Sequence, residues 1–470
     1  MTRPLRAALA LTLALTLAFA VPLTGAPAPS ARAQYNGAYY TVQEGDTLTE
    51  VAFYFRVSLN ELIALNPMPD PNNLPPGKVL LIPGFEDLQG ELKRVSVPAG
   101  ENARTLQRLY RLPPALFQRL NFVTAPDALI TGHPFFYLEA AAREQTRLQL
   151  VSGLTPLELA AYGAASSWLA GLYNDLPAPW RLLANDTLFL PGAQRGSLNA
   201  LLPLVTDLAL DQLAQGKTSV FRASPSPQTA LSGELLGFPL RFFANASGGG
   251  FTALQGVPRL TEPGVTRFTI RAAAPDGRVF TLQQQAYLQP KNYGYDAPLE
   301  VMDSVVDPAI TEPEFAFVTE LTSPAPPEKL WQGRFAFPSS TPDFITSWYG
   351  RLRSYNGSDF TYFHSGMDFG GGESSPILAP ASGVVVYTGA LDVRGNATII
   401  SHGWGVYTGY WHQSRIEVKV GDVVQTGQTI GLMGATGRVT GPHLHFSVFV
   451  GSVEVDPEDW LNGQYAWVGG

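Results

Sequence analysis

The amino-acid sequence predicts a multidomain chain. Small α+β (βααβ) units repeat near the N-terminus, a β-sandwich follows, and a mainly antiparallel-β domain closes the chain. Three observations carry this reading. At 470 residues the chain has length for about three domains. A glycine followed 21 positions later by an asparagine recurs three times before residue 180. Five of the six histidines fall between residues 364 and 445, among short apolar, β-branched runs. Composition agrees: 45% of residues are hydrophobic, enough for buried cores, and 46 glycines and 39 prolines favour turns and short strands over long helices. The net charge of −8 argues against a nucleic-acid-binding role. With no cysteine, Cys-ligated zinc, thiol nucleophiles and disulfides are excluded.

Residues 1–33 read as a secretory signal peptide. Arg3 and Arg6 precede the apolar stretch Ala7 to Leu23, and Ala31-Arg32-Ala33 is a small-x-small cleavage signal. The alternative is a retained membrane anchor, since the apolar stretch is just long enough to span. Either way the remainder is expected in an extracellular or periplasmic setting.

The repeats come next. Gly45, Gly100 and Gly153 each follow a β-like run; Asn66, Asn121 and Asn174 stand 21 positions on, and Gly77, Gly132 and Asn185 stand at offset 32. These delimit units at 38–84, 94–138 and 147–192. In the first, Thr47/Glu50 and Ser58/Glu61 are spaced as capping boxes that start two short helices. Asn66 is expected to end the second helix in a left-handed conformation. The third unit opens with Thr155-Pro156-Leu157-Glu158, and the middle one lacks the box.

On Tyr40-Thr41-Val42-Gln43-Glu44-Gly45-Asp46-Thr47-Leu48, Asn66, Leu74, Gly77 and Leu81-Ile82-Pro83, the first unit resembles the LysM family. The resemblance implies a βααβ fold that binds N-acetylglucosamine-containing glycans, chiefly peptidoglycan. Asp46-Thr47 becomes Glu101-Asn102 and Leu154-Thr155 in the other units, which either bind sugar or act as spacers.

Residues 216–328 hold Ser, Pro and Gly clusters between alternating runs such as Thr266-Arg267-Phe268-Thr269-Ile270-Arg271. Asp276-Gly277 is a hairpin signal. The segment is similar to Ig-like β-sandwich modules, with a spacing or positioning role.

The chemistry concentrates in residues 332–470. His364-Ser365-Gly366-Met367-Asp368 offers an imidazole and a carboxylate four apart; Gly409-Tyr410-Trp411-His412 and Gly441-Pro442-His443-Leu444-His445-Phe446 add three imidazoles. On a strand His443 and His445 share a face, while Leu444 points away. Mixed imidazole and carboxylate donors suit zinc, and three protein donors with a fourth position left for water form a hydrolytic site. Iron in a two-His, one-carboxylate triad is the alternative, but nothing announces a cosubstrate pocket. His402 reads as structural and His133 as an incidental surface residue.

These residues carry a resemblance to the M23 (lysostaphin-like) metallopeptidases over Phe335 to Leu461. It extends through Thr346-Ser347-Trp348-Tyr349-Gly350, Ala379-Pro380-Ala381-Ser382-Gly383-Val384 and Gly434-Ala435-Thr436-Gly437. The resemblance implies a groove on an antiparallel sheet and cleavage of peptide bonds in peptidoglycan stems or cross-bridges. It also implies Zn²⁺ held by His364, Asp368 and His445, with His412 and His443 assisting the attacking water and the transition state. Spacing alone leaves open which of His443 and His445 binds metal. Departures are Ser375, where Gly is common, and Gln413, where Leu is usual. The expected function is that of a secreted zinc metalloendopeptidase with LysM glycan binding. The alternative is a non-catalytic peptidoglycan-binding regulator of other wall hydrolases.

Overall fold

The computed structural model describes residues 37–123, 129–139, 145–149, 187–191, 204–211, 213–248, 250–301 and 306–469, with isolated positions between 166 and 174. The expected leader, and Gly153, Thr155 to Glu158 and Asn185 of the third repeat, lie outside the described residues. The chain divides into compact units at 1–92 and 93–470. Among the described residues, no helix is long and apolar enough to cross a membrane.

In the first unit, β1 (Ala38–Thr41) is followed by α1 (Leu48–Phe55), α2 (Leu59–Leu65), β2 (Val79–Leu81) and the start of β3 (Gly90–Ser96). β1 pairs antiparallel with β2 and parallel with β3. Tyr40, Val51, Phe55, Leu62 and Leu80 are buried between sheet and helices. Thr47 forms its capping box: its hydroxyl accepts from the Glu50 N–H, and the Glu50 carboxylate accepts the Thr47 N–H at 3.0 Å. The second expected box does not form. Ser58 caps α2 without a side-chain bond; only its carbonyl takes part, accepting the Leu62 N–H.

Asn66 also differs from expectation. It ends α2 at φ −126°, outside the left-handed region. Its side chain instead copies a strand edge, accepting the Leu81 N–H at 2.7 Å and donating to the Leu81 carbonyl at 2.8 Å. Asn121 grips Phe136 in the same two-bond way, and Asn174 grips Phe189. An amide side chain has the donor–acceptor pair of a peptide group, so it satisfies a strand backbone that has no partner on that side.

In the second unit, β3 leads to α3 (Ala103–Tyr110), α4 (Pro114–Asn121) and β4 (Pro134–Leu138), a βααβ order in which the Asn102 side chain caps α3 on the Thr105 N–H. β5 (Gln145–Gln149) pairs antiparallel with β6 (Thr187–Pro191). His133, expected on the surface, is half-buried with its ring 4.6 Å from that of Tyr287.

Eight strands then make the sandwich: β7 (Val205–Asp211), β8 (Thr218–Pro225), β9 (Ala230–Leu235), β10 (Phe238–Arg241), β11 (Phe243–Ala244), β12 (Phe251–Gly256), β13 (Gly264–Ala273) and β14 (Val279–Leu288). The sheets run β10-β9-β13-β14 and β11-β12-β8-β7 around Phe221, Leu235, Phe268 and Ile270. The expected span of 216–328 is therefore displaced, with strands from 205 to 288. Beyond them an unanticipated α5 (Pro308–Leu321) packs on the C-terminal domain. Its Pro313, inside the helix, hid it from pattern reading. Glu314 secures it by accepting the N–H groups of Val393 and Arg394 and the Arg394 guanidinium.

The C-terminal strands are β15 (Ile345–Ser347), β16 (Leu352–Arg353), β17 (Tyr362–Phe363), β18 (Met367–Phe369), β19 (Pro376–Leu378), β20 (Gly383–Leu391), β21 (Gly395–Gly403), β22 (Val406–Ile416), β23 (Val423–Val424), β24 (Thr429–Met433), β25 (Leu444–Val450) and β26 (Val453–Val455). The main sheet runs β15-β18-β25-β22-β21-β20-β23, antiparallel throughout, and α6 (Pro457–Leu461) follows. The sandwich docks on this domain: Lys217 lies 2.8 Å from both Asp456 and Asp459, and Val220 and Leu254 share a core with Phe446 and Trp460.

His402 is fully buried, with its nitrogens against the Ser382 carbonyl and the Thr408 hydroxyl, and burial pushes its pKa down to about 4. The folded protein thus keeps His402 neutral where the unfolded chain binds a proton. This contribution is complete above the unfolded value near 6.5 and is lost as pH falls toward 4, by roughly 3 kcal/mol. Denaturation midpoints measured from pH 7 to pH 4 should fall more steeply for the wild type than for His402→Gln; equal slopes reject His402 as the source.

Candidate metal centre

Strand register brings the candidate ligands together. In the antiparallel pair of β18 and β25, Asp368 stands directly opposite His445, so their side chains leave the sheet side by side. His364 follows β17, and its N–H donates to the Arg351 carbonyl. The His364 Nε2 lies 2.9 Å from Asp368 Oδ1 and 3.0 Å from His445 Nδ1, and the last two atoms are 2.9 Å apart. Among the described residues, these three form the cluster able to hold a metal ion.

The outer nitrogens decide what the inner ones are. His364 Nδ1 faces the Trp348 carbonyl at 2.9 Å; a carbonyl only accepts, so Nδ1 carries the proton and Nε2 a lone pair. His445 Nε2 lies 3.2 Å from the Ser447 hydroxyl, which also accepts from the Trp411 indole; in the tautomer that donates from Nε2, Nδ1 turns a lone pair to the cluster. Two imidazole lone pairs and a carboxylate oxygen thus face one another, an arrangement that repels itself and fits a divalent cation. Burial raises the Asp368 carboxyl, but the attraction it gains whenever a neighbouring imidazole, of His364 or His445, is protonated outweighs this and holds it well below the usual carboxylate range. Burial pushes His445 well down, which keeps the ring neutral as a ligand must be.

His412 reaches the same cleft through a bulge. β22 shifts register after Tyr410, and His412 sits at φ 64°, so Trp411 and His412 both line the cleft although strand alternation would separate them. Gln413, the departure from the usual Leu, supports this kink: its buried amide donates back to the Tyr410 carbonyl and to Thr398. His412 Nδ1 donates to the Thr436 carbonyl at 2.8 Å, and burial followed by the charge of His443 pushes His412 down to about 3. His443 bridges to Gly434 just before β25, with Nδ1 on the Gly441 carbonyl and Nε2 3.6 Å from Asp368 Oδ1. Its ring is 5.0 Å from that of His412. All five expected site residues therefore meet in one cleft of about 490 Å³.

Sequence reading missed Ser347, Arg353, Arg394, Arg438 and Asp296, which also line it. Ser347 falls in a motif already noted; no local pattern marks the others. Burial pushes the Asp296 carboxyl up, but hydrogen bonds from Arg353 and Arg351 prevail and hold it below its ordinary range.

Residues 362–457 match peptidase family M23, and residues 40–83 match the LysM domain. The peptidoglycan DD-endopeptidase ShyA of Vibrio cholerae is 47% identical over 87 residues, 18% of this chain and 20% of that protein. The DD-carboxypeptidase/endopeptidase Mpg of Neisseria meningitidis is 39% identical over 94 residues, 20% of this chain and 22% of that protein. The chain thus spans about a fifth of the length of these curated relatives. The catalytic domain of lysostaphin from Staphylococcus simulans matches at a TM-score of 0.21 and 32% identity, over 28% of this chain and 89% of that one.

A Cβ at Gly366 would meet the Phe446 carbonyl and, at 2.5 Å, His445 Nε2. If the His364, Asp368 and His445 cluster holds zinc, Gly366→Ala should displace His445 and weaken that binding by about tenfold or more. Competition against a chromogenic chelator reads this directly, and wild-type affinity would contradict it.

Proposed function

Because the chain carries an M23 peptidase domain behind a LysM domain, we propose that it is a zinc endopeptidase hydrolysing peptide bonds in the stems or cross-bridges of peptidoglycan. On this reading it is exported to the extracellular or periplasmic space. The LysM domain holds it on the wall by binding N-acetylglucosamine-containing glycan, which raises the effective concentration of the reacting bonds. One observation supports this above the rest: His364 Nε2, Asp368 Oδ1 and His445 Nδ1 converge within 3.0 Å of one another in an open cleft beside two further imidazoles. The names of the matched relatives as peptidoglycan endopeptidases support the substrate.

His364, Asp368 and His445 would hold zinc, which when bound would supply a Lewis acid to acidify water and polarise a peptide carbonyl. The remaining chemistry belongs to side chains. His412 and His443 each donate Nδ1–H to a backbone carbonyl, which leaves Nε2 as the ring nitrogen free to act in the cleft they line. Neutral at physiological pH, His412 accepts the proton released as water attacks. His412 then passes that same proton to the leaving amine, while the Nε2–H that a protonated His443 presents beside Asp368 hydrogen-bonds the developing oxyanion. The Thr436 and Gly441 carbonyls keep both rings in the required tautomer.

Purified protein incubated with cell-wall sacculi should release muropeptides, stop when zinc is chelated and resume when it is restored. His445→Ala should lose both zinc and hydrolysis while still binding the wall; retained turnover refutes the reading. His443→Ala should keep zinc yet lose about 10²–10⁴-fold in rate. Wall binding by zinc-loaded wild type without turnover would identify a non-catalytic regulator instead.

A further inference from the structure

Asp296 lies in the segment between β14 and the C-terminal domain, well before the residues that match the peptidase family. This segment is not a loose tether. The Asp296 N–H donates to the Leu352 carbonyl, the Leu352 N–H donates to Gly294, and the Leu299 N–H donates to Ser354, so residues 294–299 run as a short parallel edge beside 352–355. That pairing delivers the Asp296 carboxylate to the back of the metal cluster.

Asp296 Oδ1 accepts from Arg351 Nε at 2.5 Å, and Oδ2 accepts from Arg353 Nε at 2.9 Å and from the Ser347 hydroxyl at 3.2 Å. Arg353 Nη2 in turn donates to Ser347 at 3.0 Å, and the same nitrogen lies 3.5 Å from Asp368 Oδ2. The Ser347 hydroxyl lies 3.0 Å from His364 Nδ1. One carboxylate therefore touches, through one intermediary each, two of the three candidate ligands. Asp296 and Arg353 are both largely buried, at 17% and 15% side-chain exposure, so the charge of Arg353 must be balanced inside the protein. With Asp296 present it is shared. Without Asp296 the guanidinium leans on Asp368, the carboxylate a cation needs.

We propose that Asp296 is a positioning residue for the metal centre, contributed by the segment that joins the sandwich to the C-terminal domain. It restrains Arg353 and Ser347 so that Asp368 and His364 stay aimed at the ion. This rests on the reading of His364, Asp368 and His445 as zinc ligands. Partners of this kind, one step removed from the metal, typically change affinity by 10–100-fold.

The test is zinc affinity of the full chain, measured by competition with a chromogenic chelator, with near-UV circular dichroism monitoring the fold. Asp296→Asn keeps the size and removes the charge; it should bind zinc about 10–100-fold more weakly, and Asp296→Glu should recover part of the loss. Arg351→Ala removes the other ion pair of Asp296, the one that does not reach a ligand, and should stay within about threefold of the wild type. Wild-type affinity in Asp296→Asn overturns the proposal, and so does an equal loss in Arg351→Ala, which would mark a merely structural anchor. Failure of the wild type to bind zinc at all would instead overturn the metal-site reading.

Discussion

Three lone-pair donors held within 3.0 Å of one another are the constraint on which the C-terminal domain turns. Such a cluster opposes folding unless a cation neutralises it, so the scaffold must keep it from relaxing apart. It does so with sheet register: Asp368 and His445 are opposed on neighbouring strands, and β25 is paired on its other edge by β22. The buried side chains Phe369, Leu444 and Phe446 leave these strands little freedom to slip. A slip of one residue would turn His445 inward and Leu444 into the cleft.

A second tier of polar contacts orients what register places. Each candidate imidazole commits its outer nitrogen to a fixed group: Trp348, Thr436 and Gly441 carbonyls and the Ser447 hydroxyl. Since carbonyls accept only, the tautomer of three of these rings is set by backbone and does not depend on a titrating neighbour. The bulge at Trp411-His412 is part of the same tier, because a regular strand would turn one of the two side chains away.

The β-sandwich and the segment after it belong to this scaffold and are not a separable spacer. Lys217 is buried between Asp456 and Asp459, and a Cβ at Gly256 would meet Val453 and Val455 at 2.8 Å, so the two domains approach more closely than any side chain there would allow. From β14 onward the chain runs along the cleft at Asp296 and then docks α5 through Glu314. The N-terminal repeats use a smaller device three times, an asparagine side chain standing in for a strand.

The kind of protein was legible in the sequence: the repeat spacing, the sandwich's alternating runs and the clustering of four histidines with Asp368 are local patterns, readable because glycine, capping pairs and histidine spacing act over a few positions. It also marked Asn66, Asn121 and Asn174 by their shared offset and gave Asn66 a helix-ending role; the strand each one grips lies fifteen residues on and the grip is tertiary. The helix α5, the early start of the sandwich and the placement of Asp296 were decided only by the fold. Asp296 reaches Ser347 and Arg353 across more than fifty residues of chain, and a carboxylate in such a position has no neighbouring pattern to announce it. Tertiary structure decided the rest as well: which ring nitrogen holds a proton depends on the carbonyl it faces, and no spacing encodes that.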